Sequence, residues 1–440
     1  MAKKKEKEER PNLLNSMLAG AKQEFGDRAF SGPDGRKLLI GLPLPSLSLM
    51  YLFDANIFAL GKTMGIAGAP MAQKSSLGYE VQRWFACFTN NGQNGVNQHI
   101  EAEAGKYSPT LHESVITKEK FGQVIYTQAQ SVDEAQEISV TMLDNLKEAC
   151  QKKAALCNIP VNFTVDSLTG SETEANREKL NTEGSLGGNY PRMAKAWTEF
   201  FRTFPTFMIG WPVAFVFINH LKEAQASMPG LPPPKYTPGG GGQRYAAGYY
   251  IYMKRIKSEQ KQTLMINGEE VTQPHEIRTL ELEMNKTSLG YDGRRIVVDF
   301  VFYRKDNDQF SYFDWDASTT YLLAHLQGEK GKGVVKKDLR EICDMDCAEK
   351  RYSSKRMGLK GVTATEMGRA IHDDQGLMIE LFDFLQLQRY PIFNGVMPTA
   401  DSAATEIPRE ITLMARSTLA AIPVDPVEPP HIDTSVDPGE

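Results

Sequence analysis

Thr63-Met64-Gly65-Ile66-Ala67 is followed by Gly68-Ala69-Pro70-Met71-Ala72-Gln73-Lys74-Ser75-Ser76, and then by Leu77, Val81, Trp84, Phe85 and Phe88 at helical spacing. A short apolar run, a turn of small residues and an amphipathic helix in direct succession make a strand–loop–helix unit. The turn has the spacing of a phosphate-binding loop: Gly, four residues, Gly, Lys, then Ser or Thr. Gln73 departs from it, standing where the second glycine is usual. Such a loop curls backbone N–H groups around a phosphate at a helix N-terminus, where donors are free and the dipole favours an anion. Lys74 would reach the β- and γ-phosphates, and the Ser75 hydroxyl would ligate magnesium. A helix cap carrying an unrelated lysine is the alternative.

Outward from this unit, residues 46–325 alternate short apolar runs with longer amphipathic segments. That rhythm predicts an α/β domain with a mixed, mostly parallel sheet. Strands are expected at Thr63–Ala67, Gln98–Glu103, Asn162–Asp166, Val213–Asn219, Ala247–Ile256, Thr279–Asn285 and Ile296–Tyr303, and a further helix over Glu134–Ala155. Two intervals follow neither period. Leu168–Tyr190 is rich in Ser, Thr, Gly, Glu and Asn; Leu221–Gln243 holds Pro232-Pro233-Pro234 and the run Gly239–Gly242. Each follows a predicted strand, where parallel α/β sheets place their ligands.

Three further strand ends carry polar groups. Ile100-Glu101-Ala102-Glu103 offers a carboxylate, Glu103, that could polarise a water for phosphoanhydride hydrolysis. Val161-Asn162-Phe163-Thr164-Val165-Asp166-Ser167 is an apolar strand ending in an acid, as a magnesium shell requires. Val216-Phe217-Ile218-Asn219-His220 ends in an amide and an imidazole that could sense a γ-phosphate. Singly, an exposed strand-end glutamate, a chance Asp and a structural histidine are the plainer readings. Their order along the chain makes the set more specific than any member.

In that order and spacing the sequence resembles the RecA family of recombinases, and most closely the phage UvsX branch, over about residues 46–325. The resemblance implies an ATP- and Mg2+-dependent DNA recombinase that forms filaments on single-stranded DNA and pairs it with a homologous duplex. It implies that Gly68, Ala69, Pro70, Met71, Ala72, Gln73, Lys74, Ser75 and Ser76 form the nucleotide loop. Glu103 becomes the catalytic glutamate with Lys74, and Ser75 and Asp166 hold magnesium. Asn219-His220 matches the UvsX Asn-His pair; the UvsX loop also lacks glycine at the position of Gln73. Lys286 resembles a lysine that reaches a neighbour's ATP across the subunit interface. The two irregular intervals then fall on the DNA-binding loops, with Arg177, Lys179 and Arg192 in or beside the first. Lys222, Lys235, Gly241, Gly242, Arg244 and Tyr245 lie in or beside the second. Cations for phosphates and tyrosines for base stacking suit a single strand. A recombination mediator and a single-strand-binding protein are implied as further partners. A non-hydrolysing mediator of the same fold and a ring helicase of the same NTPase class are the rival readings.

The chain's 440 residues carry 50 Lys plus Arg against 55 Asp plus Glu, which excludes a histone-like polycation and makes any nucleic-acid surface local. Five cysteines and a charged start (Met1-Ala2-Lys3-Lys4-Lys5) lead us to expect a reducing cytoplasm, that of the host if the protein is phage-encoded. The longest apolar stretch, Phe207–Ile218, contains Gly210 and Pro212 and is too short to span a bilayer. The expected organisation is an N-terminal oligomerisation segment (1–45), the core (46–325), a C-terminal region (326–415) and an acidic, proline-rich tail (416–440). Ten bases against five acids in residues 330–360 make either a solvated face or a surface for duplex DNA.

Overall fold

Parallel strands need cover on both faces, and this chain supplies it from helices on either side of one sheet. The computed structural model describes residues 17, 19, 21–24, 39–90, 92–103, 105–169, 173, 190–223, 235–238, 242–266, 269–305, 308–327, 336–397 and 409–414. Its central sheet has nine strands: β1 (Thr63–Gly68), β2 (Val96–Glu101), β3 (Val124–Gln128), β4 (Val161–Asp166), β5 (Val213–His220), β6 (Tyr249–Ile266), β7 (Glu269–Thr287), β8 (Arg295–Lys305) and β9 (Asp308–Asp314). They lie in the order β9-β8-β7-β6-β1-β5-β4-β2-β3. All pairs from β6 to β3 are parallel, and β6 to β9 form an antiparallel meander. The protein is α/β with a mixed, mostly parallel sheet, as its rhythm predicts.

The helices used below are α1 (Leu47–Phe53), α2 (Lys74–Cys87), α3 (Pro109–Ile116), α4 (Val132–Lys152), α5 (Tyr190–Phe207), α6 (Gly242–Ala246), α7 (Trp315–Gln327), α8 (Ala364–Asp373) and α9 (Gln375–Phe384). Alternation along β5 explains the layering. Ala214, Val216 and Ile218 join Leu77, Val81, Trp84 and Phe85 of α2 in one core. Phe215 and Phe217 face the other way, against Trp197, Phe200, Phe201 and Phe204 of α5. Full burial of each such side chain contributes roughly 1.5–3 kcal/mol before entropy is subtracted.

The first core does not stop at residue 326. Leu47, Leu49 and Phe53 of α1 share it with Leu339, Met367, Ile371, Leu377 and Phe382. Polar contacts tie the same parts. Asn56 Nδ2 donates to the Tyr390 carbonyl at 2.9 Å, and the Tyr390 N–H returns a bond to Asn56 Oδ1 at 2.8 Å. The Leu47 N–H donates to His372 Nε2 at 3.1 Å. Isolated bridges join Gly41 to Ile392 and Ala55 to Gln388. No helix among the described residues is long and apolar enough to cross a membrane.

All seven predicted strands are present, with shifted ends. The strand expected at Gln98–Glu103 stops at Glu101, its last ladder bond to β4 running from the Ala102 N–H to the Asp166 carbonyl at 2.7 Å. The strands expected at Ala247–Ile256 and Thr279–Asn285 are halves of a much longer ribbon, β6–β7. Along its outer part Lys254, Arg255, Ile256, Lys257 and Lys261 of β6 are exposed, so this stretch leaves no period-2 signal. The half-exposed edge strand β3 escapes prediction for the same reason. Leu221–Gln243 is not wholly irregular, since Lys222–Glu223 pairs with Lys235–Tyr236. Residues 416–440 lie outside the described residues.

Candidate functional site

Four neighbouring parallel strands, β1, β5, β4 and β2, end side by side. The register sets Gly68 beside His220, and Glu101 beside Asp166. Three interstrand gaps make an edge roughly 14 Å wide, along the carboxyl ends where such sheets bind ligands.

At β1 the chain leaves through Gly68, where a Cβ would sit 2.5 Å from the Met253 carbonyl oxygen. Only glycine fits that approach. Two later residues, Met71 and Gln73, both adopt the left-handed conformation at φ 61°. Gln73 is the N-cap of α2 and uses the backbone geometry that a glycine would adopt freely. A side chain there costs about 1 kcal/mol. The Gln73 amide compensates in part, its Oε1 accepting the Ser76 hydroxyl at 2.8 Å. Beyond it, the N–H groups of Lys74, Ser75 and Ser76 lie in the first turn and have no carbonyl one turn back.

Lys74 is buried and folded onto its own loop, with Nζ donating to the Ala69 carbonyl at 2.9 Å. Burial lowers its pKa to about 8, although Asp166 and Glu103 both favour the charged form. Asp166 is buried as well, accepts a hydrogen bond from the Ser75 side chain, and is pushed up to about 6 by that burial. The Asp166–Ser167 peptide is cis.

Glu103 lies two residues beyond the end of β2. Its Oε2 accepts from the Ser167 hydroxyl at 3.2 Å and faces His220 Nε2 at 3.4 Å, and Lys106 ion-pairs with Oε1. Burial alone would raise Glu103, but Lys106 and His220 outweigh it and hold the carboxylate below its ordinary value. His220 is itself lowered, by burial and then by Lys74. Glu101, two residues earlier, is pushed by burial up to about 7 and accepts the Glu103 N–H at 2.9 Å. An ionised Glu103 beside an imidazole, an ammonium and a buried lysine can hold and polarise a water.

The neighbour of His220 points elsewhere. Asn219 is fully buried, and its Nδ2 donates to the Pro238 carbonyl at 2.8 Å and to Gln243 Oε1 at 2.7 Å. Gln243 Nε2 donates to the same carbonyl at 2.7 Å. The end of β5 thus holds both sides of the Gly239–Gly241 segment, one residue from the imidazole at Glu103.

Of the residues assigned to the first interval, Arg177 and Lys179 lie outside the described residues, while Arg192 is exposed on α5. In the second, Gly241 lies outside them. Lys222 and Lys235 sit on the short paired strands, and Lys222 is half-buried. Gly242 opens α6 against Thr198 of α5, and Arg244 and Tyr245 are exposed on α6, Tyr245 at 85%. Lys286 is apart from its own Gly68 loop. It pairs with Tyr250, level with Gly65, and its Nζ donates to the carbonyls of Arg244 and Tyr245 at 2.9 and 2.6 Å.

Sequence reasoning did not single out Glu101, Lys106, Ser167 or Gln243. Glu101 lies two residues before Glu103, but β2 ends at Glu101, so strand alternation does not relate the two and the contact forms only on folding. Compared with protein-family models and with curated proteins, the chain matches none.

Proposed function

We propose that the chain is an ATP-dependent DNA recombinase with a RecA-type core, which polymerises on single-stranded DNA and exchanges it with a homologous duplex. The observation that carries this reading is the end of β5. His220 faces the proposed hydrolytic carboxylate Glu103, while Asn219 holds Pro238 and Gln243 of the proposed DNA loop. A γ-phosphate bound between them would bias both at once, the differential contact that coupling between two sites requires.

In this reading the triphosphate lies on the first turn of α2, with Lys74 leaving the Ala69 carbonyl for the β- and γ-oxygens. The donor set fits magnesium: a hydroxyl and a carboxylate, both hard oxygens, already hydrogen-bonded to one another. Ser75 and Asp166 would hold the ion, whose charge offsets that of the phosphates when it is bound. Glu103 takes a proton from the attacking water, and His220 and Lys106 keep that carboxylate ionised beforehand.

Self-association has a suitable surface. Among the described residues β3 is an edge strand of the sheet, with Ile125 and Tyr126 exposed beside a cavity of about 580 Å³ lined by Met142, Leu146, Leu156 and Phe163. An unpaired apolar edge invites another chain, and the N-terminal segment of a second copy is the occupant this reading supplies.

ATP turnover measured with and without single-stranded DNA tests the proposal; DNA-independent turnover, or none, would count against it. For the DNA loop, replacing both Arg244 and Tyr245 with alanine is expected to weaken single-strand binding by about tenfold or more, since stacking and phosphate contacts are both lost. ATP affinity measured on the same variant should stay within about twofold. A collapse of nucleotide binding would move α6 to the ATP site.

A further inference from the structure

We infer that Glu101 is a positioning residue for Glu103, packed against a buried chain of imidazole, amide and phenol groups that is hydrogen-bonded to the far end of the same loop. The inference rests on the reading of Glu103 as the hydrolytic carboxylate.

Three hydrogen bonds define the step from β2 to Glu103. The Glu101 carbonyl accepts the Ala129 N–H at 2.8 Å, the Ala102 N–H donates to the Asp166 carbonyl at 2.7 Å, and Glu101 Oε1 accepts the Glu103 N–H at 2.9 Å. Only the last depends on a side chain. Glu101 Oε2 lies 3.7 Å from His99 Nε2, a packing contact beyond hydrogen-bond reach, the two residues sharing one face of β2.

His99 is fully buried and its Nδ1 meets Gln82 Nε2 at 3.1 Å. An amide nitrogen can only donate, so the proton of the neutral ring sits on Nε2, which faces Glu101 without a hydrogen-bond partner among the described residues. Gln82 Oε1 can only accept, so His112 gives it the Nε2 proton at 2.7 Å. That leaves His112 Nδ1 to accept the Tyr107 hydroxyl at 2.9 Å. Every link therefore has one direction. Burial holds His99 at about 4 and His112 at about 2, so neither ring gains a second proton near neutrality. Stacking of Tyr79 on His112 at 4.0 Å, and of Tyr107 on Tyr126 at 4.2 Å, keeps the rings in place.

Tyr107 lies four residues beyond Glu103 on the same connection. The segment carrying Glu103 and Lys106 is thus held at one end by the Glu101 side chain, which packs against His99, and at the other by Tyr107, hydrogen-bonded to the buried chain that His99 begins. A polar network in a core where apolar packing would serve fixes geometry rather than adding stability. For a carboxylate that must meet a water, displacement by about 1 Å can cost 10²-fold in rate.

The test compares Glu101→Leu, Glu101→Gln and Gln82→Met by two measurements on the full chain. Steady-state ATP turnover with saturating single-stranded DNA should show kcat down by about 10-fold or more in Glu101→Leu at unchanged KM. Glu101→Gln, which keeps an acceptor oxygen, should remain within about threefold of the parent. Gln82→Met, which cuts the chain without touching the loop, should fall between. Amide hydrogen exchange, which needs no activity, should show Glu103 N–H protected in the parent and in Glu101→Gln but not in Glu101→Leu. Parental turnover in Glu101→Leu, a loss in Glu101→Gln as large as that in Glu101→Leu, or a rise in KM matching the fall in kcat would each overturn the inference. So would an unchanged Glu103 amide in Glu101→Leu. If Glu101→Leu does not fold, parental exchange over residues 101–108 in Gln82→Met overturns it. If the parent hydrolyses no ATP, the proposed function falls, and the exchange data still decide whether Glu101 holds Glu103.

Discussion

Glu103→Gln is expected to lower ATP turnover by about 10²-fold or more, the scale of a positioned general base, while ATP binding survives. The change is nearly isosteric, and Ser167 can still donate to the remaining oxygen. What disappears is the charge that Lys106 and His220 hold in place. Ser75 and Asp166 are untouched, so magnesium-dependent nucleotide binding should remain, and filaments on single-stranded DNA should persist longer for want of hydrolysis. Asp166→Asn is the control and should impair nucleotide binding itself. Turnover of Glu103→Gln equal to the parent, at saturating single-stranded DNA, would place the activated water elsewhere.

Replacing Lys74 should have the other large effect, and its pH dependence carries a sign. Burial lowers Lys74 to about 8, against an ordinary value of 10.5. Between those values the unfolded chain binds the proton that the folded chain has released, so this group's contribution to stability rises with pH across that window and is lowest, though constant, below about 8. A bound triphosphate favours the ammonium and reverses the shift. Nucleotide binding at pH 8.5 should therefore take up a proton, seen by calorimetry as a heat that varies with the ionisation enthalpy of the buffer. Lys74→Ala should abolish that uptake and lower ATP affinity by about 10²-fold, since charge-assisted hydrogen bonds to the phosphates, worth about 1.5–3 kcal/mol each, are lost. Proton uptake unchanged in Lys74→Ala would assign it to another group.

Much of this architecture could be read from residues. The strand–loop–helix at 63–88 and the strand ends at Asp166 and His220 emerged because apolar runs buried on both faces are conspicuous. The ribbon β6–β7 was visible only where it crosses the core, near Tyr250 and Leu282; farther out, Lys254, Arg255, Ile256 and Lys257 are exposed in succession and no alternation shows along β6. The site divides the same way. Lys74 and Glu103 could be named from spacing, because each is chemically conspicuous at a strand or helix end. Glu101, Ser167 and Gln243 could not, since their partners are the Glu103 N–H, the Glu103 carboxylate and Asn219, contacts that only folding creates. Gln73 illustrates the limit well. A motif written as residue types calls it a mismatch, whereas its backbone already has the left-handed geometry for which glycine is chosen.

The exchange of hydrogen bonds between Asn56 and Tyr390, with Leu47 on His372, has a bearing on how the molecule can be dissected. A fragment ending near residue 326 would lose the partners of α1 and strip one wall from the core that supports α2. The carboxyl end of the sheet and the C-terminal helices should then melt in one cooperative transition rather than as separable modules. Deleting the latter would remove part of the foundation of the former.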